Sequence, residues 1–148
     1  MEVQPDFRDL LALFSVHKVD YIIVGAHALA YHGAPRYTGD MDILVWPDSE
    51  NAQRIIHALE EFGLGSLGLT LEDFSIPDKV IQVGVTPVRI DIVTSLTGVS
   101  WEEAFAGRVA GSYGDLEVYY LGKEQFILNK RALGRMKDLA DLEAIGEE

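Results

Sequence analysis

Two apolar runs in this chain carry carboxylates where a buried strand would be expected to carry none. The first, "MDILVW" (residues 41 to 46), follows Asp40 and contains Asp42. The second, "VRIDIVTSL" (residues 88 to 96), contains Asp91. Side chains alternate along a strand, so Asp40 and Asp42 share one face while Met41 and Ile43 share the other. In the second run Val88, Ile90 and Ile92 form one face, and Arg89, Asp91 and Val93 form the opposite one. An acid in a β-branched strand is costly unless it is solvated or paired. Two carboxylates at i and i+2 repel each other, and one tends to stay protonated. A hard divalent cation, which prefers oxygen ligands, removes that penalty. If the two strands are neighbours, Asp91 joins the pair. Three carboxylates can hold two Mg²⁺ ions about 4 Å apart, the spacing used for in-line phosphoryl chemistry. Structural readings stand beside this one. Asp-x-Asp after Gly39 also suits turn chemistry, and Asp91 also suits a salt bridge or an edge-strand guard.

The rest of the chain supplies elements around these runs. Residues 6 to 18 read as a helix, with Leu10, Leu11, Leu13 and Phe14 as its apolar stripe. "YIIVGA" is a short buried strand ending at Gly25, and "HALAYHG" is a short helix closed by Gly33. Pro47, Asp48 and Ser49 start a helix that runs through Phe62. "DKVIQVGV" and "PVRIDIVTSL" pair as a hairpin about Gly84 to Pro87. "SWEEAFAG" opens with a capping box, Ser100 and Glu103. "GSYGDLEVYYL" reads as a hairpin turn leading into a strand; "EVYYL" within it fits a core strand or a dimer edge equally well. The tail, 122 to 145, reads as two helical pieces broken near Gly134. Strands and helices mix without a βαβ rhythm. The expectation is therefore α+β, a mixed or largely antiparallel sheet flanked by helices and ending in a helical pair. With 148 residues and no linker-like segment, one domain over 1 to 148 is expected.

Charge bears on which ligands the chain can take. The formal net charge is -12, which repels nucleic acid and free nucleotides in general. Residues 1 to 122 hold 7 Lys+Arg against 18 Asp+Glu, whereas 123 to 148 hold 5 against 6. Lys123, Lys130, Arg131, Arg135 and Lys137 meet only Glu124 between 123 and 137, so an anion would need that stretch, or Arg36 and Arg89. Cysteine is absent, which excludes disulfides and thiolate zinc sites. Apolar runs are too short to span a membrane, and Glu2, Asp6 and Asp9 stand where a signal peptide would be positive. A soluble, cytoplasmic protein is expected.

"GLGSLG", residues 63 to 68, matches G-x-G-x-x-G by letter. A dinucleotide site needs a strand before the motif, and here a helix precedes it. Gly63 is better read as the end of that helix. His17, His27, His32 and His57 read as structural, since none pairs at metal-ligand spacing. Trp46 and Trp101 read as core or rim residues rather than base-stacking platforms.

"VGAHALAYHGAPRYTGDMDILV", residues 24 to 45, resembles the nucleotide-binding signature of the DNA polymerase beta-type nucleotidyltransferase superfamily. Within it, the resemblance is to small stand-alone prokaryotic members related to abortive-infection nucleotidyltransferase toxins. The pattern is a strand ending in Gly-Gly or Gly-Ser, a helix, Arg-x-Thr/Ser-x-Asp-x-Asp, and a third acid on a later strand. Gly25, Arg36, Thr38, Asp40, Asp42 and Asp91 match it, and "LNKRALGRMKDLADLEAI", residues 128 to 145, is similar to the C-terminal helices. The two segments cover about a quarter of the chain.

The resemblance implies NMP transfer from an NTP such as ATP to an acceptor, with release of pyrophosphate. It implies Asp40, Asp42 and Asp91 as ligands of Mg²⁺ or Mn²⁺, with Asp91 also the base. It implies contact between the triphosphate and the backbone at Gly25 and Ala26. Ala26 departs from the pattern and supplies no hydroxyl. Arg36 suits phosphate or a loop-bracing salt bridge, Thr38 completes the motif, and Lys130 and Lys137 suit a cationic wall or a solvated face. The acceptor is open among RNA, protein and small molecule. Two further readings are a tRNA-modifying toxin silenced by an antitoxin-like partner, and a non-catalytic nucleotide-binding or interaction module.

Overall fold

In the computed structural model, which describes residues 3–34, 39–85 and 88–147, the two acid-bearing runs lie side by side in the middle of one sheet. The strands are β1 (Tyr21–Val24), β2 (Asp40–Val45), β3 (Val80–Val85), β4 (Val88–Val93), β5 (Val109–Tyr113) and β6 (Leu116–Tyr120). Their order across the sheet is β3-β4-β2-β1-β6-β5. β2 runs parallel to β4, and β1 parallel to β6; the other pairs are antiparallel. The expected mixed α+β sheet is what forms. β6 is flanked on both sides, so "EVYYL" is an interior strand and the sheet edges are β3 and β5.

Alternation along the strands sorts side chains into two apolar layers. Tyr21, Ile23, Met41, Ile43, Val45, Ile90 and Ile92 face one side. There they meet α1 (Pro5–Val16), α3 (Ser49–Leu59) and α4 (Leu71–Ser75) through Phe7, Leu10, Leu11, Phe14, Ile55 and Phe74. Ile22, Val24 and Leu44 face the other side, against α2 (Gly25–Tyr31), α5 (Trp101–Gly107) and α6 (Lys123–Leu133). A last helix, α7 (Met136–Ala144), pairs with α6. The central strands are covered on both faces, so β1 is buried at all four residues.

Local chemistry sets the helix ends. Pro5 sits in the first turn of α1, and the Gln4 side chain accepts from the Asp6 N–H at 2.6 Å. Asp48 caps α3 by accepting from the N–H groups of Glu50 and Asn51 at 3.1 and 3.2 Å. Ser100 and Glu103 form the expected reciprocal cap on α5. α3 closes through one wide turn, Glu60–Leu64, in which Gly63 has φ +97°, followed by a 3-10 turn, Gly65–Leu67. "GLGSLG" is therefore a helix exit, with no strand leading into it. The short α4, with its Thr70–Asp73 capping box, was not foreseen from the pattern. Among the described residues, no helix is long and apolar enough to cross a membrane.

Candidate active site

The sheet register brings the three aspartates together. Asp42 lies opposite Asp91 across the parallel β2–β4 pair, and Asp40 lies opposite Arg89. On the other side, Val24, the last residue of β1, lies opposite Asp42. The acids thus stand side by side on two parallel strands, Asp40 and Asp42 in the first half of β2 and Asp91 in the middle of β4, on the face toward α2 and α6. They lie next to the point where β1 turns into α2.

That turn requires glycine for two reasons. Gly25 has φ +66°, a left-handed conformation that costs an L-residue about 1–2 kcal/mol. A Cβ at this position would collide with the Asp42 Oδ2. The Asp42 carboxylate therefore packs directly against the backbone that opens α2. Val24, the residue before α2, provides no side-chain cap, and Ala26 is buried.

The charges in the cluster are unevenly balanced. The Arg89 Nη2 donates to the Asp40 Oδ2 at 2.8 Å and to the Asp91 Oδ2 at 3.1 Å. One guanidinium nitrogen thus bridges two carboxylates that would otherwise repel. The buried Asp91 Oδ1 and Arg89 Nε have no hydrogen-bond partner among the described residues. The Asp42 carboxyl is pushed up to about 6, first by burial, then by the Asp91 charge and hydrogen bond and by Asp40, with Lys130 opposing. Its protonation therefore begins closer to neutral pH than that of an isolated surface aspartate.

The remaining expected site residues are distributed differently. Arg36 and Thr38 lie outside the described residues. Lys130 is buried, with its Nζ 3.3 Å from the Asp138 Oδ1 and 3.2 Å from the Asp141 Oδ2, and it also sits over the Phe126 ring at 5.4 Å. It is near enough to Asp42 to act on that carboxyl through its charge. Its direct partners, however, are the two acids of α7. Arg135 adds a second brace, with its Nε 2.6 Å from the Asp138 Oδ2. These bonds hold the Asp138 carboxyl down at about 2, Arg135 being the main cause, with burial opposing and Lys130 adding to it. Lys137 is exposed on the outer side of α7 and makes no ion pair among the described residues.

The histidines differ from one another. His32 Nε2 donates to the Leu121 carbonyl at 2.7 Å, and His17 Nε2 lies 2.9 Å from the Glu61 Oε1. Both are held structurally. His27 is buried between Phe7 and Tyr113, and its Nδ1 has no hydrogen-bond partner among the described residues.

Sequence reasoning underrated Arg89, the group in closest contact with the acids. The usable signal was the i, i+2 alternation that places Arg89 on the face of Asp91. It also missed Asp138 and Asp141, which stand three residues apart on α7 and so face α6 together.

Three carboxylates are the donor type that a hard divalent ion takes, and the Asp91 Oδ1 is an orphaned, buried acceptor of that kind. The residues therefore fit such an ion in chemistry. As the side chains stand, no group of three acidic or histidine side chains among the described residues is arranged to hold a metal. The Arg89 guanidinium carries the positive charge between Asp40 and Asp91 instead.

No protein-family model matches the chain, and no curated protein matches it in sequence. Solved structures do. One is a Thermotoga maritima protein assigned as a nucleotidyltransferase, 17% identical, with TM-score 0.59 over 96% of this chain and 93% of that one. Another is the lincosamide antibiotic adenylyltransferase LnuA bound to lincomycin, 16% identical, with TM-score 0.57 over 96% of this chain and 95% of that one. At such identities the likeness speaks to architecture, and this chain has the fold of these nucleotidyltransferases.

Proposed function

We propose that the protein is a metal-dependent nucleotidyltransferase that moves an NMP from an NTP to an acceptor hydroxyl and releases pyrophosphate. The observation that carries this reading is the convergence of Asp40, Asp42 and Asp91 on two adjacent parallel strands, with Asp42 against the Gly25 backbone. Asp40, Asp42 and Asp91 would hold Mg²⁺ or Mn²⁺, which when bound neutralises phosphate charge and polarises the reacting phosphoryl group. The Gly25–Ala26 backbone N–H groups would orient the triphosphate, with Arg36 and Thr38 as the loop residues that complete its contacts. The acceptor oxygen bonds to the α-phosphorus while the bond from that phosphorus to the bridging oxygen breaks. Asp91 takes the acceptor's proton, and pyrophosphate leaves with the electron pair. For Asp91 to do so, Arg89 must release it. Catalysis rests on position and charge rather than on covalent help from the protein.

LnuA is by its name an adenylyltransferase acting on a lincosamide. That puts ATP first among NTPs to try and a hydroxylated small molecule first among acceptors. The tail supports this choice over RNA. Lys130 and Arg135 are neutralised internally and Arg131 lies 3.7 Å from Glu147, which leaves Lys123 and Lys137 to meet a polyanion. The toxin reading, with its tRNA acceptor and antitoxin-like partner, is weakened to the same degree. NTP as substrate agrees with a cytoplasmic site of action. The Arg89 bridge and Ala26 favour the alternative of a non-catalytic nucleotide-binding module.

The test is transfer of label from each α-³²P NTP, with Mg²⁺ or Mn²⁺, to total RNA or a metabolite extract, using Asp42→Asn as control. Label moving with the wild type and lost in Asp42→Asn supports the enzyme. Metal-dependent NTP binding without transfer replaces it with the binding module. Transfer at the wild-type rate by Asp42→Asn removes the carboxylate assignment.

A further inference from the structure

At the end of the sheet away from the aspartates, the chain builds a cavity of about 320 Å³. Its walls are Trp46 and Pro47 after β2, Pro77 before β3, residues of the loop between β4 and α5, and Trp101 and Glu102 at the start of α5. We propose that this cavity is a binding site for a flat aromatic ring that carries a positive charge. This proposal does not depend on the nucleotidyl-transfer reading.

The shape of the cavity indicates the ring. The indoles of Trp46 and Trp101 are parallel within 6°, with centroids 6.4 Å apart. That separation is within the roughly 4.5–7 Å of a directly paired, offset stack, so the two indoles form one continuous aromatic wall of the cavity. A planar ligand can lie on the face that this wall presents. Trp46 remains 40% exposed, whereas the Phe105 ring, 5.5 Å from Trp101 and outside the cavity lining, already carries the Arg108 guanidinium 3.7 Å over its centroid. Aromatic residues left open in this way bind rings by stacking, and they bind cations through the negative face of the π system.

The surroundings are fixed before any ligand arrives. The Thr94 hydroxyl donates to the Ile76 carbonyl at 2.8 Å and accepts from the Lys79 N–H at 2.9 Å. The Ser95 hydroxyl accepts from the Asp78 N–H at 2.9 Å, and Ser100 is engaged in the α5 cap. Leu44 and Val99 form a buried floor. The loop hydroxyls are thus committed to the scaffold, which leaves the indole faces and Glu102 for recognition.

Charge indicates the cation. Glu102 is the single charged residue lining the cavity, and it makes no hydrogen bond or ion pair among the described residues. Its neighbour Glu103 is occupied by Ser100. No lysine or arginine among the described residues lines the cavity, and the whole chain carries a formal charge of -12. Phosphates and carboxylates are disfavoured there, so the cavity does not suit a triphosphate. It is also distinct from the acid cluster. Trp46 is four residues beyond Asp42, ~13 Å at about 3.3 Å per residue, with the buried Leu44 between them on the same strand face.

The chain's two tryptophans both line the cavity, so intrinsic fluorescence reads this site directly. The probe is benzyltrimethylammonium, compared with tetramethylammonium (a cation without a ring) and benzoate (a ring with a negative charge). The expected result is a saturable change with the first, and about tenfold weaker binding or none with the other two. Trp101→Leu, read through Trp46, should weaken the probe about tenfold, and Glu102→Gln should weaken it several-fold. Trp101→Phe should restore much of the binding, which separates loss of the ring from loss of the fold. Asp42→Asn and EDTA should leave the affinity unchanged. No saturable change with benzyltrimethylammonium overturns the proposal. Benzoate binding as tightly overturns it too, as does equal binding by Glu102→Gln.

Discussion

The buried His27 should make the protein sensitive to acid in a range where most of its surface groups are unaffected. Its ring lies 5.8 Å from Phe7 and 6.0 Å from Tyr113, the Nδ1 has no partner among the described residues, and burial pushes the imidazole down to about 4. In the unfolded chain the same group titrates near its ordinary value of 6.5. Between those values the unfolded state binds the extra proton and the folded state does not, so stability falls as pH falls. The full penalty, a shift of about 2.5 units at 1.36 kcal/mol each, is about 3 kcal/mol, reached below pH 4. At pH 5 it is about 2 kcal/mol, a substantial share of the 5–15 kcal/mol typical of a domain. Urea unfolding at pH 7.5 and pH 5, in EDTA, measures it. His27→Phe keeps a ring between Phe7 and Tyr113 but cannot take a proton. Its loss of stability between the two pH values should be about 2 kcal/mol smaller than that of the wild type. Other titrating groups act alike in both proteins, so the difference isolates position 27. Equal losses in the two proteins would refute the reasoning, since His27 would then be protonated when folded or solvated where it is drawn as buried.

Two further substitutions probe the acid cluster. Gly25→Ala should cost about 1–2 kcal/mol for its left-handed backbone, and displacing Asp42 should lower transfer about a hundredfold while circular dichroism stays native; unchanged transfer would show that the close approach is unimportant. Arg89→Gln removes the cation between Asp40 and Asp91, so the melting temperature in EDTA should fall, by about 1–2 kcal/mol of stability. Added Mn²⁺ should restore more of it in Arg89→Gln than it adds to the wild type, and a variant insensitive to Mn²⁺ would count against Asp40 and Asp91 as metal ligands.

The readable parts of the fold and site were those governed by local rules. Two-residue alternation placed Asp40 with Asp42, and Arg89 with Asp91, on the correct faces before any strand had a neighbour. The caps at Asp48 and Ser100 were visible because capping is a short-range code. The order of strands was not visible. Nothing local says that β2 lies between β1 and β4, and that placement is what turns three separated acids into one cluster. The partners of Lys130 were hidden for the same reason. A lysine on α6 and two aspartates on α7 look like independent solvated charges until the chain folds back at Gly134.

The tail shows how misleading unpaired charge counts can be. Read linearly, residues 123 to 137 are a basic stretch inside an acidic chain and an obvious place for phosphate. Folded, the same stretch spends Lys130 and Arg135 on buried acids of α7. Lys130 does reach Asp42 electrostatically, as a charge held at a fixed distance by Asp138 and Asp141. A lysine held in that way stabilises ionised Asp42 without having to move. It also cannot leave for a ligand unless two buried carboxylates lose their partner, a loss worth about 3–5 kcal/mol. Arg89 is the opposite case. It is partly exposed, and among the described residues it is bonded through one nitrogen and its Nε has no partner, so its release is the cheaper one. Of Arg89 and Lys130, Arg89 is therefore the one that, under the proposed function, would yield its place to a metal ion and a triphosphate, while Lys130 would stay as fixed background charge.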